Sequence, residues 1–303
     1  MSKTQMSPQE YYRRHGQMTD PGAFTARLSE LPQDIHELCQ IVQGLIIHYR
    51  TGELYGVEIP AHRLDEARTR RIETILGRMQ ELDDRPLAHA RSPERRFVGC
   101  CRDFATLLCA ILRTHGIPAR VRTGFSTYFD PTFACDHWVT EYWNDEEQRW
   151  VVVDAEMDEP KRSRNRVTFD PCDVPRDRFR RAGEVWQACR AGVADAAAFG
   201  YDPDAHGIWV IRNNLLHDVA CLNKVELTPW DFWGLGVQDV DALSDEDRRV
   251  LDTGASLSLG GDAAFEALRA FYAANDRTRV PPIVVSYTLT DERTEARVLE
   301  ALE

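Results

Sequence analysis

The stretch that most constrains this chain is Gly99-Cys100-Cys101-Arg102-Asp103-Phe104-Ala105 and its continuation to Arg113. Phe104, Leu107, Leu108, Ile111 and Leu112 recur at the spacing of one buried helical face. Gly116 suits the left-handed position after a helix, and Pro118 cannot continue one. The spacing predicts a helix of about four turns, from near Cys101 to near His115. A cysteine at its start meets unpaired N–H groups and the positive end of the helix dipole, both of which favour thiolate. Asp103 in the first turn complements the same dipole. A nucleophilic sulfur belongs in such a place, but a small buried core cysteine reads the same way. The stretch by itself leaves both open.

After Pro118 the period changes. Val121, Thr123, Phe125 and Thr127 alternate with Arg120, Arg122 and Gly124, a strand pattern. His137-Trp138-Val139-Thr140-Glu141-Tyr142-Trp143 reads as a second strand, and Arg149-Trp150-Val151-Val152-Val153-Asp154 as a third. With Asn144-Asp145-Glu146-Glu147 as a four-residue turn, Trp143 faces Gln148 and His137 faces Asp154 directly. Such neighbours share a face with Cβ atoms about 5 Å apart. A carboxylate there can accept the imidazole Nδ1–H, fixing its tautomer and stabilising the imidazolium. A one-residue slip would separate the two onto opposite faces.

The chain has 303 residues, 43% hydrophobic and 28% charged, an ordinary globular balance able to bury a full core. A net charge of −12 argues against general nucleic-acid binding, which needs a basic surface. No apolar run approaches the length of a membrane span, and the first residues carry no apolar secretory region. A cytoplasmic protein with no membrane partner is expected. The eight cysteines are scattered, which does not suggest a disulfide framework. Without CxxC or HxxxH pairs, no metal site and no cofactor are expected.

The reading divides the chain into three. Residues 1–30 form a polar, loosely packed lead-in. Residues 31–160 hold a core with N-terminal amphipathic helices, from Asp34 to about His48 and from Leu64 to Leu82. Residues 161–303 form a mainly helical extension packed on that core. It opens with a basic run through Lys161, Arg162, Arg164, Arg166, Arg176, Arg178, Arg180 and Arg181. This reads as a solvated face or a partner for acidic surface elsewhere, with binding of an acidic substrate as the other reading. Helices are expected over 182–199, 211–225 and 263–274, a strand over 281–287, and a small-residue turn at Ser256–Gly261. Pro229-Trp230-Asp231-Phe232-Trp233-Gly234 is an aromatic loop of the kind that forms a pocket wall or plugs a core.

Cys101, His137 and Asp154 together make a Cys–His–Asp set: a sulfur to attack an acyl carbon, a base to hold its proton, and an acid to orient the base. The backbone N–H of Cys101 is a natural oxyanion donor. Four blocks carry a family resemblance. They are Gly99–Ala105, Leu112-Arg113-Thr114-His115-Gly116-Ile117-Pro118-Ala119-Arg120, His137-Trp138 and Trp150-Val151-Val152-Val153-Asp154. In that order the chain resembles the transglutaminase-like core over about residues 95–155. That superfamily includes transglutaminases, peptide N-glycanases and many bacterial cysteine proteases and hydrolases.

The resemblance implies an α+β papain-like fold, with a nucleophile helix packed on an antiparallel sheet that carries the His and Asp. It also implies Cys101 as nucleophile, His137 as base and Asp154 as orienting acid. Cys101 is preferred to Cys100 because the matched pattern sets the nucleophile directly before Arg102-Asp103. No calcium-binding loops of the animal-transglutaminase kind are found. Trp138, Asp136, Cys100 and Trp230 are candidate substrate contacts, and Cys135 is a further cleft candidate. The expected activity is a cysteine hydrolase acting on an amide or peptide-like small molecule through a thioester. The alternatives are acyl transfer to an amine acceptor in a biosynthetic pathway and a non-catalytic binding module retaining the fold.

Overall fold

A computed structural model describes residues 6–299. The Cys101 helix spans Cys101–Thr114 and is buried at every position but Thr114. Gly116 follows at φ +74°, and Ile117 N–H returns to the Leu112 carbonyl at 2.9 Å, closing the C-terminus in the left-handed way. Helices Ile35–Leu45 and Ile72–Leu82 share one core with it, through Leu38, Val42, Leu45, Ile75, Leu76 and Met79 against Leu107, Leu108 and Ile111.

Two expectations about the N-terminal third are corrected. The helix expected over 64–82 is broken, because Ala61–Arg68 is a 3₁₀ segment and the α-helix begins only at Ile72. The carbonyls of Thr69 and Arg70 in the break accept instead from the Arg102 guanidinium, which a continuous helix would forbid. The lead-in is packed down rather than loose: Tyr12, Met18 and Leu28 are buried, and Tyr12 Oη donates to the Leu222 carbonyl at 2.9 Å. Its residues 1–5 lie outside the described residues.

The main sheet centres on strand Ala134–Asn144, antiparallel to Ala119–Ser126, which in turn pairs with Phe179–Arg181. Arg149–Val153 pairs with the C-terminal half of the central strand, and Phe199–Asp202 runs parallel to its start. The hairpin register differs from the expected one. Asn144 stays in the strand opposite Arg149, its Oδ1 accepting the N–H groups of Glu146 and Glu147 at 2.9 and 3.1 Å. The turn is therefore 145–148, closed by Gln148 at φ +52°. Moving the turn by one residue shifts the pairing by two, so His137 and Asp154 are no longer directly opposed but keep the same face.

In the C-terminal half, helices Ala182–Arg190, Ile208–Leu222, Asp245–Leu259 and Phe265–Ala274 are joined by a small sheet, 231–232, 283–287 and 293–297. The Ser256–Gly261 turn is corrected, since Asp245–Leu259 is a helix that runs to Gly260. Ser244 and Asp247 cap its start reciprocally. Its small residues serve close packing: a Cβ on Gly183 of the neighbouring helix would lie 2.8 Å from Ser258 Oγ and 3.0 Å from the Ala255 carbonyl. No helix among the described residues is long and apolar enough to cross a membrane.

A buried ion network joins the sheet to this half. Glu141 Oε2 meets Arg120 Nε at 2.7 Å and Arg122 Nη1 at 3.3 Å, and Glu141 Oε1 meets Arg181 Nη2 at 2.8 Å. Arg122 also pairs with Asp218 of the 208–222 helix at 2.8 Å. Burial raises the Glu141 carboxyl, but the three guanidinium charges together hold it well below its ordinary range. Arg181 thus spends its charge inside the fold, as Lys161 does 3.3 Å from Glu156.

Candidate active site

Cys101 is the first residue of its helix and Cys100 the extended residue before it. Asp103 folds back from the first turn to accept the Cys100 N–H at 2.8 Å and pairs with Arg102 at 2.9 Å, both carboxylate and guanidinium fully buried. Gly99 makes room for this, since a Cβ there would sit 2.8 Å from Asp103 Oδ2. Arg102 reaches on to the carbonyls of Thr69, Arg70 and Glu226, so the helix start is tied to two other parts of the chain. Its position is fixed from several sides.

Across from the sulfur, His137 Nε2 lies 2.9 Å from Asp154 Oδ2, with 2% and 1% of the side chains exposed. The sequence expectation had Nδ1 facing the acid; the ring is presented the other way, which leaves Nδ1 as the nitrogen available to a sulfur. Asp154 also accepts from Tyr128 Oη at 2.7 Å and from the Glu156 N–H at 3.0 Å, while its own N–H donates to the Pro171 carbonyl. Tyr128 and Phe129 stand edge-on to the imidazole at 6.0 and 5.0 Å. Cys101 Sγ, a His137 ring nitrogen and a Glu156 carboxylate oxygen all lie within 4.8 Å of one another.

Burial pulls the His137 imidazole down, but the Asp154 charge and hydrogen bond, helped by Glu156 and Asp136, outweigh it and leave it raised. Asp154 is pushed up by burial and pulled further down by His137 and Tyr128, so it stays a carboxylate. Cys101 differs from the sequence expectation. Its hydrogen bond with Cys100, then burial, then the charges of Cys100, Asp136 and Glu156 raise the thiol well above its ordinary value. A helix terminus contributes only about 0.3–1 kcal/mol toward thiolate, so the resting sulfur holds its proton. For such a thiol to act as a nucleophile, a neighbouring base must take its proton.

Of the candidate contacts, Asp136 sits beside the site, half-buried, accepting from Asn214 Nδ2 at 2.6 Å and pushed up to about 6 by burial. Cys100 is buried and touches the Cys101 thiol. Trp138 is not a cleft wall: it is fully buried and packs edge-on against His217 at 5.2 Å. Trp230 lines a cleft of about 900 Å³ and meets Tyr49 edge-on at 5.8 Å. Cys135 is half-buried, its thiol 4.0 Å from the Phe133 carbonyl.

Glu156, Tyr128 and Asn214 were missed from the sequence. Glu156 had a signal, because residue 156 follows Asp154 at the strand period; Tyr128 and Asn214 had none.

Among the described residues, two side-chain groups have donors close enough for a cation. Cys101, His137 and Glu156 form one, in which the Lys161 ammonium 3.3 Å from Glu156 already balances the carboxylate. His36, Asp170 and Cys172 form the other, with Cys39 Sγ 3.7 Å from Cys172 Sγ. The members of this second group come from two segments far apart in the chain, residues 36–39 and 170–172.

The family model of the transglutaminase-like superfamily matches residues 67–155. No curated protein matches the chain. A crystal structure of a candidate cysteine protease from Cytophaga hutchinsonii aligns with 48% of this chain and 41% of its own, at 17% identity and a TM-score of 0.30. The aligned part thus spans less than half of that protein. Cys101, His137 and Asp154 all fall inside the matched segment, and through residues 67–155 the chain is similar to the transglutaminase-like superfamily.

Proposed function

We propose that the protein is a cysteine acyl-transfer enzyme that cleaves an amide or peptide-like bond and passes the acyl group to water. The observation that carries this is the His137 imidazole held 2.9 Å from Asp154, with the Cys101 sulfur at a helix N-terminus within 4.8 Å of the ring. As Cys101 Sγ bonds to the acyl carbon, its proton passes to His137. The tetrahedral oxyanion is met by the Cys101 backbone N–H. Collapse breaks the C–N bond, and the leaving amine takes the proton from His137. Water then attacks the thioester, giving its proton to His137; the acid leaves, and the thiolate recovers that proton. Asp154 keeps the ring oriented and its positive form stable throughout.

Iodoacetamide labelling tests the nucleophile. Labelling of the reactive thiol is lost in Cys101→Ala and retained in Cys100→Ala, read by intact mass and peptide mapping. Because Cys100 is the first cause raising the Cys101 thiol, Cys100→Ala labels faster at neutral pH. Undiminished labelling in Cys101→Ala, or loss of it in Cys100→Ala, would reassign the sulfur. The acceptor is tested separately by adding methylamine to the trapped acyl-enzyme. Free acid supports hydrolysis, and the methylamide would instead assign amine transfer.

A further inference from the structure

The cleft of about 900 Å³ lies against the Cys101 site without containing it. Tyr49 on one wall donates its backbone N–H to the Gly99 carbonyl at 2.9 Å, two residues from Cys101. Tyr201 also lines the cleft, its phenol raised by burial and by the nearby Asp136 carboxylate. The 208–222 helix links the two places. Arg212 and Asn213 line the cleft, while Asn214, the next residue, holds Asp136 beside His137.

Two features of the cleft are unusual for a surface depression. Arg212 is only 2% exposed, yet among the described residues no carboxylate pairs with it. Its three hydrogen bonds go to neutral acceptors: the Gln238 carbonyl at 2.7 Å, the Gly236 carbonyl at 2.8 Å and Asn213 Oδ1 at 3.3 Å. A guanidinium carries five N–H donors, so two remain. By contrast, the buried Arg122 is satisfied by Glu141 and Asp218. Burial pulls Arg212 down to about 10, although Asp239, which makes no ion pair with it, acts in the opposite direction. The second feature is apolar. Trp209 and Val237 are both large hydrophobic residues left exposed, and both line this cleft.

We infer that this cleft binds the acyl donor, and that the donor carries a carboxylate received by Arg212 and an apolar or aromatic group set against Trp209 and Val237. The assignment of the ligand as acyl donor rests on the proposed function; the anion site itself does not. Two remaining N–H donors on one planar group match the two oxygens of a carboxylate. A bound carboxylate also supplies the counter-charge that Arg212 lacks. An acidic substrate was a possibility raised for the basic run at 161–181, but Lys161 and Arg181 of that run are spent on Glu156 and Glu141. On this inference that role falls to Arg212, in a different segment.

The probe is N-benzoylglycine, an aromatic carboxylate, compared with its neutral amide, N-benzoylglycinamide. Binding is measured by calorimetry and by tryptophan fluorescence in Cys101→Ala, so that turnover does not interfere. The acid binds about tenfold or more tightly than the amide, the scale of one charge-assisted hydrogen-bonded pair. Arg212→Gln removes that preference, and Arg212→Lys restores part of it. Should Arg212→Gln fold poorly, Val237→Glu, at an exposed rim position, weakens the acid more than the amide. Inorganic phosphate at the same concentration does not displace the acid. Equal binding of acid and amide, a preference that survives Arg212→Gln, or displacement by phosphate would each overturn the inference. If the acid is preferred while Cys101 proves unreactive, the anion site stands and the acyl-transfer reading falls. If Cys101 reacts and the preference is absent, only this inference falls.

Discussion

Replacing Asp154 with Asn lowers turnover of an activated ester such as p-nitrophenyl acetate by about three to four orders of magnitude, the scale seen when the orienting acid of such a set is neutralised. Asn keeps its one oxygen for the Glu156 N–H, accepted by Oδ1 at 3.0 Å, and its amide NH2 replaces Oδ2 and donates to the Tyr128 hydroxyl that Oδ2 accepted at 2.7 Å, so the fold around it is retained. What is lost is the charge. After burial, which lowers the imidazole, the Asp154 charge is the largest influence on His137 and the first that raises it. In the wild type, activity therefore rises with pH through a His137 value above the ordinary 6.5, as the protonated ring gives up its proton and becomes a base. In Asp154→Asn that acid limb moves to lower pH while the plateau falls. The pH profile separates this from a structural defect, which would lower the plateau and leave the limb in place. Unchanged turnover, or an unmoved limb, would remove Asp154 from the mechanism.

The second large effect is on stability. Glu141→Gln takes the one carboxylate shared by Arg120, Arg122 and Arg181 out of a network that is buried apart from the 18% exposed Arg181. Arg122 keeps Asp218, so the cost falls mainly on Arg120 and Arg181. Removing one partner of such a group costs about 3–5 kcal/mol, because the remaining charges stay buried without compensation. The control is Glu246→Gln, whose pair with Arg249 at 2.7 Å is 58% and 70% exposed and whose loss costs under about 1 kcal/mol. Urea unfolding of the two variants measures the difference; equal midpoints would show that the network contributes no more than a surface pair. The Glu141 carboxyl titrates below its unfolded value near 4.5, so its contribution is complete above that pH and is lost as pH falls below it. Glu141→Gln accordingly narrows the gap to wild type in acid.

The Cys101 helix was legible because its determinants are local: the apolar period from Phe104 to Leu112 and the Gly116–Pro118 stop. The pairing of His137 with Asp154 was legible through strand parity, and it survived an error in the turn. Asn144 prefers to accept from Glu146 and Glu147 rather than join the loop, and the resulting two-residue shift leaves both side chains on one face. The same parity places Glu156 near His137. The break at Thr69–Arg71 was hidden, since its cause is the Arg102 side chain, 32 and 33 residues away. The helix ending at Gly260 was hidden too. Its small residues read as a turn until the Gly183 helix that presses on them is known.

By itself the sequence determined that Cys101 opens a helix and that His137 and Asp154 share one face of a hairpin, because each depends on a local period or on the parity of that hairpin. Only the tertiary structure decided the protonation of the sulfur and the surroundings of the site. The Cys101 thiol is raised by Cys100, by burial and by the Asp136 and Glu156 carboxylates, which come from two other segments. The cleft walls at Tyr49, Tyr201 and Tyr287 likewise come from segments far apart in sequence. Burial and charge act through space, so their balance at one atom is set by neighbours that no window along the chain contains.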